Sequence, residues 1–133
     1  MIVVDTNIIG YLFLTSSHSG EAEQALRKDT FWAAPLLWRS EFRNVLAIYM
    51  RRNLLSLEDA LGVMESATGL MRGGEYEIVS TRVLTLANQS NCSAYDCEFV
   101  ALAEDLRVPL VTVDKQILAK FSDIAISLEE FCR

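Results

Sequence analysis

The chain has 133 residues, 51% of them hydrophobic, with 18 acidic against 12 basic side chains and a formal net charge of −6. Such a length and composition suit one compact α/β-sized domain, residues 1–133, with a substantial buried core. The negative balance excludes gripping nucleic acid with a simple basic clamp, so an anionic ligand requires something that offsets the charge.

Three cysteines, Cys92, Cys97 and Cys132, and the lone His18 far from them in sequence support neither a disulfide framework nor a zinc site, and the cysteines read as reduced thiols. No apolar run reaches the roughly 18 residues of a membrane-spanning helix, and no signal-peptide pattern opens the chain. A cytoplasmic protein without membrane contact is expected.

Short apolar runs alternate with stretches of helical period, the pattern of an α/β fold with a parallel sheet. The first strand, Ile2–Val4, runs into Asp5 in "MIVVDTN". A second strand is expected at 31–34, before Pro35. Next come two helical stretches, 36–52 and 56–71, joined by "NLLS" as a helical hairpin. The first carries Trp38, Phe42, Val45, Leu46 and Tyr49, and the second Leu57, Ala60, Leu61, Met64 and Leu70. That is more apolar surface than one side of a small sheet needs, so part of it is expected to meet another protein chain unless the helices simply pack on each other and the sheet. A third strand is expected at 76–79, a fourth at 110–113 after Pro109, and a weaker fifth at 124–126. Ser56 with Asp59, and Ser93 with Asp96, have the spacing of helix-capping boxes.

Four carboxylates stand in unusual places. Asp5 and Asp114 each end a strand, and in an open parallel sheet ligands bind at the carboxyl ends of strands where the strand order reverses. If the two strands are neighbours, roughly 4.8 Å apart, the acids can share one ion; the competing account is that each caps the following helix. Glu41 has Leu37, Trp38, Asn44 and Val45 as helical neighbours, with no basic partner, and stands in the Leu37, Val45, Ile48 row that points inward. Asp96 fits a capping box with Ser93, yet it also ends the stripe of Phe99, Val100, Ala103 and Leu106 and so faces the sheet edge. Glu98, two residues on, points away from Asp96 and is set aside.

Gathering carboxylates is costly, since two charges about 4 Å apart repel by roughly 4 kcal/mol at an effective dielectric near 20. A divalent cation reverses the sign, and an oxygen-only donor set selects a hard ion, Mg²⁺ or Mn²⁺. Such an ion also draws in phosphate and activates water, which resolves the charge problem for an acidic protein acting on a phosphodiester.

The stretches "VVDTN", "SEFRNVL" and "SAYDCEFVALAEDLRVPLVTVD" together resemble the PIN-domain family, specifically the stand-alone toxin ribonucleases of VapBC-type toxin–antitoxin pairs, over essentially the whole chain. The resemblance implies a three-layer α/β/α sandwich with a four- or five-stranded parallel sheet. It also implies an Mg²⁺- or Mn²⁺-dependent endoribonuclease acting on RNA, a homodimer, and inhibition by a small antitoxin protein. Position by position, the family's catalytic and metal-binding acids fall on Asp5, Glu41, Asp96 and Asp114, and its supporting hydroxyls on Thr6 and Thr112. Asp5, Asp96 and Asp114 are then expected to hold an ion directly or through water, and Glu41 to complete the pocket or orient the nucleophilic water. Arg39, Arg43, Lys115, Arg51 and Arg52 are candidate phosphate contacts, with solvated surface charge as the alternative.

The rivals are a non-toxin RNA-processing relative, a metal-dependent phosphatase, a phospho-accepting receiver and an inactive binding module. A phosphatase of the haloacid-dehalogenase type wants a second acid two residues after the first, where Asn7 stands. A receiver wants an acceptor Asp after the third strand, where Ser80 and Thr81 follow.

Overall fold

The apolar triplet Ile2–Val4 forms β1, and Asp5 turns the chain directly into a helix, so the first polar residue lies at the carboxyl end of a buried strand. The computed structural model describes residues 1–133. In chain order the elements are β1 (Ile2–Val4), α1 (Thr6–Phe13), α2 (Ser19–Lys28), β2 (Trp32–Pro35), α3 (Leu37–Arg51), α4 (Leu57–Met71) and β3 (Glu75–Tyr76). They continue with α5 (Ser80–Ser90), α6 (Ala94–Leu106), β4 (Leu110–Thr112), α7 (Lys115–Lys120), β5 (Ala125–Ser127) and α8 (Leu128–Cys132).

The strands form one five-stranded parallel sheet in the order β3-β2-β1-β4-β5. β1, β2 and β4 are buried along their whole length, as befits strands covered on both faces. From β1 to β3 the chain advances toward one edge, and from β3 it returns past β1 to build the other. With right-handed crossovers, this reversal puts α1 to α4 on one face and α5 to α7 on the other. The packing agrees: α6 lies on β1, β2 and β4 and is backed by α5, while α1, α3 and α4 pack together and α2 bridges α1 and α8. The result is the three-layer sandwich expected from the resemblance, with five strands. No helix is long and apolar enough to cross a membrane.

All five expected strands exist; the first has the expected ends, and the other four differ at theirs. The second starts at Trp32, with Phe31 left 42% exposed. The third is Glu75–Tyr76 and not 76–79. Its position is set by Gly74, whose carbonyl accepts from the Ala34 N–H at 2.8 Å. A Cβ on Gly74 would sit 2.2 Å from the Trp32 carbonyl oxygen, so only glycine allows the edge strand to dock this closely. Pairing stops after the Tyr76 carbonyl accepts from Leu36 N–H at 3.0 Å, and Val79 becomes the exposed residue that opens α5.

The helical hairpin is present as α3 and α4, and its apolar surface divides sharply. Trp38, Phe42 and Leu46 are buried in the single core, Trp38 and Phe42 with ring centroids 6.1 Å apart. Apart from Leu36 at the N-cap of α3, 40% exposed, the outward-facing large apolar side chains of the hairpin lie in the turn and α4, where Leu54, Leu57 and Leu61 are 63%, 64% and 63% exposed. At Ser56 and Ser93 the hydroxyl accepts from the N–H three residues on, at 3.0 Å in both cases. In neither does the acid return a bond to the serine N–H, so only half of each capping box forms.

Candidate active site

β1 and β4 are adjacent, and the sheet order reverses between them, which makes their carboxyl ends the switch point of the fold. Register pairs Val3 with Leu110 and Val4 with Val111, bringing Asp5 opposite Thr112. The Thr112 hydroxyl is fully buried and needs partners; it donates to Asp5 Oδ2 at 2.8 Å and accepts from the Asp114 N–H at 3.0 Å. Asp5 Oδ1 accepts from the Thr6 N–H at 2.7 Å and caps α1, while Asp114 Oδ1 accepts from the Ile117 N–H at 2.9 Å and caps α7. Helix capping and membership of an acidic cluster, opposed readings in the sequence, coincide here. The positive ends of α1 and α7 therefore point at the same carboxylates.

Glu41 enters from the first turns of α3, half-buried, and its Oε1 accepts from the buried Thr6 hydroxyl at 2.6 Å. Thr6 thus fixes two acids, Asp5 through its N–H and Glu41 through its hydroxyl. Asp96 comes from the first turn of α6, behind the Ser93 cap.

The electrostatics show that these groups share one field. Burial pushes the Asp5 carboxyl up to about 6, against the opposing hydrogen bonds from Thr112 and Thr6, with the charges of Glu41 and Asp96 adding to the rise. Burial also holds Glu41 above the ordinary carboxylate range, opposed by the Thr6 hydroxyl and helped by the charge of Asp96. Asp96 is raised by burial and by the charge of Asp114, with Ser93 opposing. None of the four acids belongs to an ion pair. All four acids expected from the sequence are thus brought together, with Thr6 and Thr112 beside them.

Glu98, set aside in the sequence, feels part of the same field. Glu98 is half-buried, and its carboxyl is raised by burial and then by the charge of Glu41. Two residues along a helix do point away from each other, but the charge of Glu41, on α3, bears on Glu98 as that of Asp96 bears on Glu41. Glu41 and Glu98 stand on helices of opposite layers of the sandwich, so no spacing within α6 signals the coupling.

Among the basic candidates, Arg39 is already engaged: its Nε and Nη2 fork onto Glu75 at 2.6 Å each, and Trp38 Nε1 donates to the same carboxylate at 2.8 Å. This clamp ties α3 to β3, and Glu75 is held below its usual range chiefly by the Arg39 hydrogen bonds. Arg43 donates from Nε to the Arg39 carbonyl at 3.0 Å and is exposed, as is Lys115 at the start of α7. Arg51 and Arg52 lie at the far end of α3, about 15 Å along the helix from Glu41 at 1.5 Å per residue, and do not reach the cluster.

As the side chains stand, no three of the acids converge closely enough to enclose one ion. The donor chemistry nevertheless fits a hard divalent cation: four carboxylates and two hydroxyls, no nitrogen or sulfur ligand among them, and buried negative charge with no protein cation to neutralise it.

The family model of the PIN domain matches residues 2–125. The chain is 29% identical over 123 residues to Ribonuclease VapC3 of Pyrobaculum aerophilum, covering 90% of this chain and 94% of that protein. Its fold is similar to the crystal structure of PAE2754 from Pyrobaculum aerophilum, with a TM-score of 0.78 at 21% identity over 98% of this chain and 85% of that one. It is also similar to a chain of a toxin-antitoxin complex from Klebsiella pneumoniae, with a TM-score of 0.67 at 19% identity over 96% and 98% of the two chains. The matched segment runs from β1 to the first residue of β5 and contains all four acids of the switch point, and the chain belongs to the PIN-domain family.

Proposed function

We propose that this protein is a divalent-metal-dependent endoribonuclease, the toxin of a VapBC-type toxin–antitoxin pair, that hydrolyses RNA phosphodiester bonds in the cytoplasm. The observation that carries the reading is the set of four half-buried carboxylates, without a protein cation, at the switch point. The likeness to a protein named Ribonuclease VapC3 and to a chain of a toxin-antitoxin complex supports it. Strand order speaks against the receiver alternative, whose third strand lies beside the first, whereas β3 here is an edge strand two places from β1.

Asp5, Asp96 and Asp114 are the residues that would hold the cation, Mg²⁺ or alternatively Mn²⁺, directly or through water. Bound there, it supplies Lewis-acid polarisation of a phosphoryl oxygen and lowers the pKa of water. Thr112 and Thr6 keep the Asp5 carboxylate oriented, and Thr6 keeps Glu41 facing the same space. Glu41 orients the attacking water and accepts its proton, a task its raised pKa suits. Arg43 and Lys115 steady the RNA phosphates.

Three results are expected. Purified protein cuts single-stranded RNA in Mg²⁺ or Mn²⁺ and not in a chelator, and releases no phosphate from a small phosphomonoester; phosphate release without RNA cleavage would favour the phosphatase reading. Replacing Arg43 or Lys115 by Ala reduces the slope of log affinity against log salt by about 0.7 for each lost phosphate contact to single-stranded RNA, whereas Arg39→Ala leaves that slope unchanged because its guanidinium is bound to Glu75. Light scattering gives the mass of two chains. Leu54, Leu57 and Leu61, with the adjoining recess of about 380 Å³ lined by Phe13, Tyr49, Leu55 and Val63, supply apolar surface for the homodimer or for an amphipathic antitoxin helix.

A further inference from the structure

A second cleft, about 110 Å³, opens beside the acidic cluster between α1 and α3, and its walls include Thr6, Asn7, Tyr11, Ser16, Val45 and Tyr49. Thr6 belongs to both places, since its hydroxyl donates to Glu41 at 2.6 Å while its side chain borders the cleft. Asp5 and Tyr49 both bear on the phenol of Tyr11, which is raised chiefly by burial and then by these two groups, so the two tyrosines and the cluster are near neighbours. Tyr11 is braced from outside the cleft by His18, with ring centroids 4.6 Å apart and planes 32° from parallel. No charged side chain lines the cleft.

Next to a cation-binding cluster that would take a phosphate, an uncharged recess with two aromatic rings and a few short polar groups matches one component of RNA, the base. Base–aromatic stacking accepts any base, and the amide of Asn7, the Ser16 hydroxyl and the phenols offer hydrogen bonds to a base edge. A phosphate would find no cation there. We propose that the Tyr11–Tyr49 cleft is a subsite that stacks the nucleobase adjoining the scissile phosphate, an inference that rests on the ribonuclease reading above.

The test uses the full chain and a random pool of single-stranded oligoribonucleotides in Mn²⁺, from which one cut sequence is chosen and each nucleotide in turn is made abasic. Tyr11 and Tyr49 are replaced by Leu, which retains apolar bulk, and by Phe, which retains the ring; melting curves establish that each variant is folded. Stacking is worth about 1–3 kcal/mol per base, so an abasic site at one position beside the cut is expected to slow the parent roughly 5- to 150-fold. The same abasic site should slow the Leu variants no further, and the Phe variants should behave like the parent. Abasic and Leu effects that simply multiply at every position would overturn the subsite, as would Leu variants that cut at the parental rate, including any that lose only the binding of an antitoxin. Failure of the parent to cut the pool in either metal would instead remove the ribonuclease reading. The cleft is then read by 2-aminopurine RNA: quenching by the parent and not by the Leu variants supports base stacking, and equal or absent quenching overturns it.

Discussion

Asp5→Asn and Asp96→Asn are each expected to lower metal-dependent RNA cleavage by at least about 10³-fold, roughly 4 kcal/mol of transition-state stabilisation, while the proteins still unfold cooperatively. The reasoning separates the two roles that Asp5 plays. As an N-cap it accepts from the Thr6 N–H, and Asn is as good a cap as Asp. The amide of Asn can also donate to the Thr112 hydroxyl, so the local hydrogen bonding has a replacement. What Asn does not restore is a negative charge for a cation. Asp96 has no capping duty for its carboxylate, because the Ser93 hydroxyl accepts from the Asp96 backbone N–H. Rates measured under single turnover, with circular dichroism on the same samples, decide the matter. Parental cleavage by either variant would leave these residues as structural caps and remove them from the chemistry.

The same Asp5→Asn change is expected to stabilise the cation-free protein by about 1–3 kcal/mol at pH 7. Raising a carboxyl from 3.8 to about 6 on folding corresponds to about 3 kcal/mol, and some of that is forfeited in weaker hydrogen bonds. A folded-state pKa above the unfolded value means that the native protein binds more protons between the two. The Asp5 contribution to stability is therefore fully present below about pH 4 and is lost as pH rises through about 6. Urea denaturation in chelator should give a difference between variant and parent that is near zero at pH 4 and grows to its full size by pH 7. Millimolar Mg²⁺ or Mn²⁺ should stabilise the parent and not the variant, because only a native protein with its carboxylates intact gains from binding. A difference that stays constant from pH 4 to pH 7 would show that Asp5 ionises in the folded state as easily as in the unfolded one.

Local chemistry made most of the fold readable. Three- and four-residue apolar runs, helical periodicity and the Pro and Ser boundaries follow from interactions within a few residues, and they located five strands and the paired helices of the hairpin. The edge strand was misplaced because its position depends on Gly74 meeting the Trp32 carbonyl, a contact between segments 42 residues apart. The four acids were legible for a related reason: a carboxylate at the end of an apolar strand, or on an apolar helix row, contradicts its own neighbourhood, and that contradiction is visible locally. Their shared placement at the switch point was not visible. It required β1 and β4 to be adjacent, Thr112 to reach Asp5 and Thr6 to reach Glu41, partners 107 and 35 residues apart in the chain. Tertiary structure alone also engaged Arg39 with Glu75, set Glu98 in the field of Glu41, and made a cleft of Tyr11 and Tyr49. Each of these results depends on which side chain of a distant element arrives first, and no pattern within either element encodes that.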